Sequence, residues 1–194
     1  MTSSNTGKED FLVFFDTETS GLPAWKEPSD SENQPHIVQL AAVIVNRNTQ
    51  LITKKLDYIV KPNGWEISDD TIEIHGITNE YAAELGTPEE EVLNKFLEFY
   101  DGIKRVAYNT TFDNRIIRIA IKRFLGVEKA DEWKANPYEC AMIKARKFLG
   151  GKNPKLVDAY EKITGEEMQN AHNAMADVIA TVDIFFKMDE SVKK

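Results

Sequence analysis

The sequence predicts an α/β fold, a mixed sheet packed by helices. Three observations point there. Short apolar runs with strand character fill the first third of the 194 residues. Capped, helix-periodic segments fill the rest. One short apolar strand, "KRVAYN", interrupts those helices.

In chain order, "FLVFFDTE" is short, apolar and aromatic-rich, so it reads as a buried strand. "SGLPAWKEPSDSENQP" collects Ser, Pro, Gly and Asn and reads as a loop, long enough to suggest a functional segment. "HIVQLAAVIVN" and "LITKKLDYIVKP" are two further strands joined tightly around Arg47–Gln50, which suggests an antiparallel meander. "ISDDTIEIHGIT" is a short helix with Ser68 as cap and Gly76 as stop. "TPEEEVLNKFLEFYDG" is a helix that Thr87 caps and Pro88 opens, with acids in its first turn and Gly102 just beyond its end. After "KRVAYN", "TTFDNRIIRIAIKRFLG" is an amphipathic helix ending at Gly126. "NPYECAMIKARKFLG" is a short strand or turn and then a helix. "NPKLVDAYEKITG" and "NAHNAMADVIATVDIFFKM" are two more helices. With no repeat or linker in view, the expected organisation is a disordered lead over 1–10 and one domain over 11–190.

Composition narrows the class. A hydrophobic fraction of 42% with 29% charged residues is that of a soluble globular protein. No apolar run approaches the ~20 residues of a membrane span, and the N-terminus lacks a signal peptide's apolar stretch. The single cysteine, Cys140, excludes an internal disulfide and a cysteine metal site. A reducing, cytoplasmic location is expected. The net charge of −8 argues against a polyanionic partner, but its distribution matters more. Residues 1–100 hold 7 basic against 18 acidic residues, whereas 101–160 hold 13 against 7. A local polyanion-binding surface is compatible with that middle segment, and so is a set of solvated helix faces.

The chemistry lies in the acids. Strand side chains alternate, so Asp16 and Glu18 share a face, roughly 6–7 Å apart along the strand, where a divalent cation could bridge them. "VAYNTTFD" repeats the pattern of strand, polar elbow and acid, placing Asp113 at a helix start. "HNAMADVIATVDIFF" sets Asp177 among small and apolar residues, with His172 five positions earlier. Taken singly, each has a plainer reading: solvated strand-end acids, a dipole-matched Asp113, a turn Asn109, an exposed helical Asp177, a surface His172. Together they suit one reaction. Four carboxylates can hold two divalent ions for phosphodiester hydrolysis, and a histidine can take the proton of the attacking water.

These motifs resemble the DEDDh family of 3′–5′ exonucleases, the group that includes the proofreading subunit of bacterial replicative polymerases. "FFDTETSGL", "YNTTFD" and "HNAMAD" are similar to its three motifs in order, and "IHGIT" is a frequent feature of the group. A tyrosine branch carries Tyr four residues before the last Asp; here that position is Asn173. The resemblance spans Phe11 to about Met188. It implies a ribonuclease H-like fold with three antiparallel strands followed by parallel ones, and two Mg²⁺ or Mn²⁺ ions. It also implies hydrolysis from the 3′ end of single-stranded DNA or RNA, releasing nucleoside 5′-monophosphates. By the same resemblance Asp16, Glu18, Asp113 and Asp177 bind metal and His172 is the general base. Thr17, Thr19 and Leu22 contact the terminal nucleotide, with Asn109 and Phe112 lining the same pocket. His75 is a further substrate contact, or equally a cap or core histidine. Implied partners are nucleic-acid 3′ ends and a polymerase or other replication protein, with no membrane.

Two departures qualify the match. The stretch Ala24–Pro35, with Trp25, is longer than the link in many relatives and reads as a flap over the substrate or a surface loop. "PYECAM" has Glu139 and Cys140 where relatives often have Asp-Thr or Cys-Thr, and no chemistry is assigned to it. Strand binding is then expected to rest on metals and on basic residues between Arg115 and Lys155, with Arg146, Lys147, Lys152 and Lys155 as candidates. The alternatives to a strand-degrading enzyme are an RNA-trimming or short-oligonucleotide exonuclease with the same centre, and a non-catalytic nucleic-acid or protein binding module of the same fold.

Overall fold

The computed structural model of the chain describes residues 7–192. Of the lead expected to be disordered, residues 1–6 lie outside the described ones, and Lys8–Asp10 form a 3₁₀ turn. The Asp10 carbonyl accepts the Arg47 N–H at 2.8 Å, and Lys8 pairs with Asp101 at 2.9 Å.

Among the described residues, six strands form one mixed sheet. They are β1 (Phe11–Thr19), β2 (Ile37–Asn46), β3 (Ile52–Lys61), β4 (Thr87–Pro88), β5 (Arg105–Ala107) and β6 (Tyr138–Cys140), in the spatial order β4-β3-β2-β1-β5-β6. β1, β2 and β3 pair antiparallel, while β5 joins β1, β6 joins β5 and β4 joins β3 in parallel. The expected antiparallel meander followed by parallel strands is the observed sheet. Eight α-helices among the described residues flank it: α1 (Asp69–His75), α2 (Asn79–Leu85), α3 (Glu89–Tyr100), α4 (Thr110–Leu125), α5 (Val127–Ala135), α6 (Ala141–Leu149), α7 (Leu156–Thr164) and α8 (Ala174–Val192). No helix among the described residues is long and apolar enough to cross a membrane.

Alternation along β1 divides the core. Val13 and Phe15 point to one face, where they pack with Phe96 of α3, Ile117 of α4 and Trp133 of α5. Leu12 and Phe14 point to the other, against Val178 and Phe185 of α8 and Ala145 of α6. Phe14 meets Phe185 edge-on at 5.2 Å, a geometry that contributes about 0.5–1.5 kcal/mol beyond area burial. Asp16 and Glu18 continue the Leu12–Phe14 side, so the strand ends with its acids on the α8 face. β1, β5 and β6 run parallel, and their C-terminal ends therefore lie along one edge of the sheet.

Several elements differ from expectation for local reasons. The helix expected from Thr87 starts at Glu89, because Thr87 and Pro88 are drawn into pairing with Val60 and Lys61 of β3. α2 and α5 have no counterpart in the sequence reading. Each is short, with one buried residue in α2 (Ala82) and two in α5 (Ala130, Trp133), too few to show a period. The last helix begins at Ala174, not Asn170, because Asn173 caps it: the Asn173 Oδ1 accepts the Ala176 N–H at 3.2 Å.

Candidate active site

Three carboxylates, Asp16 and Glu18 of β1 and Asp177 of α8, offer oxygens that all lie within 4.8 Å of one another. They are half-buried, and no ion pair to any of them occurs among the described residues. Hard oxygen donors with uncompensated charge are the donor set a divalent cation prefers, so the residues fit a metal ion. Asp113, 2% exposed in the first turn of α4, stands beside this trio. Its Oδ1 accepts the Thr17 N–H at 3.1 Å and the Thr17 hydroxyl at 2.9 Å.

The electrostatics follow from crowding. Burial, then the charges of Asp113, Asp177 and Glu18, hold the Asp16 carboxyl well above the usual carboxylate range. Burial and the same two Asp neighbours push Glu18 up to about 8. Burial raises Asp113 to about 7 against the opposing pull of its two Thr17 bonds, and raises Asp177 to about 6 against the charge and N–H of His172. Burial is the largest cause of each shift, and neighbouring acids add to it at Asp16, Glu18 and Asp113.

His172 lies two residues ahead of α8 in the left-handed region, at φ 66°. Its backbone N–H donates to Asp177 Oδ1 at 3.2 Å, while the residue is exposed. The loop thus ties the histidine to the last acid and leaves its ring toward solvent.

The expected nucleotide contacts fare differently. Thr17 is buried with both donors on Asp113, so it positions that acid. Thr19 is buried and its hydroxyl donates to the Gly21 carbonyl at 2.8 Å, closing the turn after β1. Leu22, on that turn, is 80% exposed. Asn109 is exposed at the start of α4, and Phe112 is partly buried against the α3–α4 core. His75 accepts the Ile77 N–H on Nδ1 at 3.1 Å. Its Nε2 is buried without a hydrogen-bond partner of good geometry, with the Thr19 carbonyl and His172 as polar neighbours. Burial lowers its pKa, as the nearby His172 also does.

The long loop after β1, read as a flap or a surface loop, is strapped to α4, and the strap occupies the α4 members of the Arg115–Lys155 basic range. Arg115 donates to the Glu27 carbonyl at 2.6 Å, and Arg123 to the Gln34 and Pro35 carbonyls at 3.1 and 3.0 Å. Lys122 pairs with Asp30 at 3.5 Å. Gln34, buried, closes the loop by bonding both the N–H and the carbonyl of Ala24 at 3.1 Å. Trp25 is carried on this strap, 54% exposed.

A family profile described as Exonuclease matches residues 13–185. The chain belongs to the exonuclease family. Among its relatives is the DNA polymerase III subunit epsilon of Aquifex aeolicus, 32% identical over 183 residues, which covers 93% of this chain and 81% of that one. The PolC-type DNA polymerase III of Thermotoga petrophila is 32% identical over 94% of this chain, which spans only 12% of that protein's length. In fold the chain is similar to Escherichia coli exonuclease I solved with zinc and single-stranded DNA. The TM-score is 0.74 at 23% identity, covering 95% of this chain and 41% of that one.

One member of this exonuclease-family site escaped the sequence reading. Gln39 of β2 stands opposite Glu18, accepts the Ala174 N–H at 3.1 Å and donates to Asp57 at 2.8 Å. It pins the first turn of α8, and with it Asp177, to the sheet. A lone glutamine inside "HIVQLAAVIVN" was the available signal.

Proposed function

We propose that this chain is a metal-dependent 3′–5′ exonuclease that hydrolyses phosphodiester bonds at the 3′ end of single-stranded DNA or RNA and releases nucleoside 5′-monophosphates. The observation that carries the reading is the convergence of Asp16, Glu18 and Asp177 within 4.8 Å in a chain of the exonuclease family. Asp16, Glu18, Asp113 and Asp177 are the residues that would hold two Mg²⁺ or Mn²⁺ ions. Bound there, the ions supply the positive charge that stabilises the attacking and leaving oxygens.

The chain's own groups do the rest. His172, exposed beside Asp177, takes the proton of the attacking water. Thr17 fixes Asp113, and Gln39 fixes the helix that brings Asp177. Leu22 offers an apolar surface to the terminal base, and Asn109, Phe112 and Thr19 are the other residues that would line the nucleotide pocket. Because the His75 Nδ1 accepts a backbone N–H, its Nε2 carries the proton and faces the Thr19 carbonyl, so contact with a substrate oxygen would require the ring to turn away from it. A polymerase or other replication protein as partner and a cytoplasmic location belong to the same reading.

The test uses 5′-labelled single strands of DNA and RNA, with Mg²⁺ or with EDTA. Stepwise shortening from the 3′ end in Mg²⁺, absent in EDTA and lost in Asp16→Ala and His172→Ala, is the expected result. Strands that stay whole in Mg²⁺ would instead indicate a binding module.

A further inference from the structure

An acidic chain that degrades a polyanion needs somewhere to attract it, and the fold narrows where. Over residues 101–160 basic residues outnumber acidic ones by 13 to 7. Most of those cations are committed within the molecule. Arg115, Lys122 and Arg123 hold the strap, and Arg118 pairs with Asp131. Lys104, Lys129 and Lys144 pair with Glu139, Glu132 and Asp189. Arg105 is buried on the Trp133 carbonyl and Asn114.

Among the described residues of that segment, the cations with neither an acid nor a backbone carbonyl as partner are Lys134, Arg146, Lys147, Lys152 and Lys155. Four of these five fall in Arg146–Lys155, the end of α6 and its linker to α7, where no acid occurs. Arg146 bonds only the neutral Asn153 side chain, at 3.2 Å, and Lys147, Lys152 and Lys155 are exposed.

The position of this linker is fixed. The Tyr108 hydroxyl donates to the Pro154 carbonyl at 2.8 Å, and Tyr108 directly precedes the Asn109–Asp113 elbow at the C-terminal end of β5. α6 and α7 pack on the same sheet face as α8, the face that carries Asp16 and Glu18. The linker and the acid cluster therefore share one face and one edge of the sheet. Gly150 and Gly151, at φ 74° and 89°, turn the chain there in a conformation other residues rarely adopt.

We propose that Arg146–Lys155 is the backbone track for the single strand on the 5′ side of the nucleotide being removed. The proposal rests on the exonuclease reading for the identity of that strand. Lysine ammonium groups bind phosphates as point charges without reading sequence, so the track sets affinity and its dependence on salt rather than base preference.

The test compares wild type with the triple variant Lys147→Gln/Lys152→Gln/Lys155→Gln; Arg146 is kept because it holds Asn153. A 5′-fluorescein-labelled oligothymidylate is titrated in EDTA, so that no turnover occurs, over a series of salt concentrations. Loss of three contacts is expected to reduce the slope of log K against log[salt] by about 2, at ~0.7 per single-strand phosphate contact. Hydrolysis of the p-nitrophenyl ester of thymidine 5′-monophosphate, which has no upstream strand, should be unchanged. An unaltered salt slope overturns the proposal. So does an equal loss on the ester and the oligonucleotide, which would mean a general structural role. A wild type that hydrolyses neither substrate defeats the exonuclease reading, and the salt slope then still decides whether the track binds a strand.

Discussion

Asp113 shows how a residue's role depends on a neighbour that sequence does not place beside it. It reads as an ordinary first-turn helical acid, and the helix dipole accounts for it locally. The fold gives it two bonds from Thr17, 96 residues away in sequence. Thr17 was expected to touch substrate, and nothing local points to its bonds with Asp113, since a strand threonine carries no mark of which acid it will meet. Thr17→Val keeps the backbone bond and removes the hydroxyl one. We expect a 10- to 100-fold loss of activity or metal affinity, about the usual effect of deleting such a supporting contact, with Thr17→Ser close to wild type. Equal activity in Thr17→Val and wild type would show that the hydroxyl does nothing for the acid. Asp16 and Glu18, by contrast, were legible because strand alternation alone puts them on one side.

At the scale of elements, the long, periodic segments were readable and the short or long-range ones were not. α4 and α3 announce themselves by caps and apolar stripes. α2 and α5 bury one and two residues, which leaves no pattern to find. The strap is harder still, because its four α4 cations look like a solvated helix face until Glu27, Ser29, Asp30 and Gln34 arrive opposite them. Gln34 is its clasp. Gln34→Ala removes side-chain bonds to Ala24 and to the Pro28 carbonyl, the latter at 2.8 Å. It should release the loop at a cost of about 1–3 kcal/mol for the buried groups left unpaired. Limited trypsin digestion reads this directly: cleavage after the exposed Lys26 should be slow in wild type and at least several-fold faster in the variant. Identical digestion rates would mean the strap does not depend on Gln34.

For the whole molecule, the acid cluster makes stability depend on pH in an unusual direction. Asp16, Glu18, Asp113 and Asp177 all titrate higher in the fold than in an unfolded chain. The native state therefore holds protons that the unfolded state has released, and ionising these groups disfavours the fold. Stability of the metal-free protein should fall as pH rises from about 5 to above 8, through the values near 6, 7 and 8 of Asp177, Asp113 and Glu18. Mg²⁺ or Mn²⁺ should reverse most of that fall. Thermal unfolding in EDTA and in metal, at pH 5.5 and 8.5, measures it, with each 1 kcal/mol moving the midpoint by about 2–4 °C at this chain length. A midpoint in EDTA that rises with pH would contradict the electrostatic picture of the site.

The two rims of the sheet carry a separate implication. β4 has two residues, one of them a proline with no N–H to donate, and β6 has three. β3 runs on past β4, and there the exposed Lys54 and Lys55 put charge on the stretch Ile52–Ile59 that no strand covers. Crowding many copies together should therefore meet short strands at both ends and like charges along the exposed part of β3, each of which opposes fibril-like stacking.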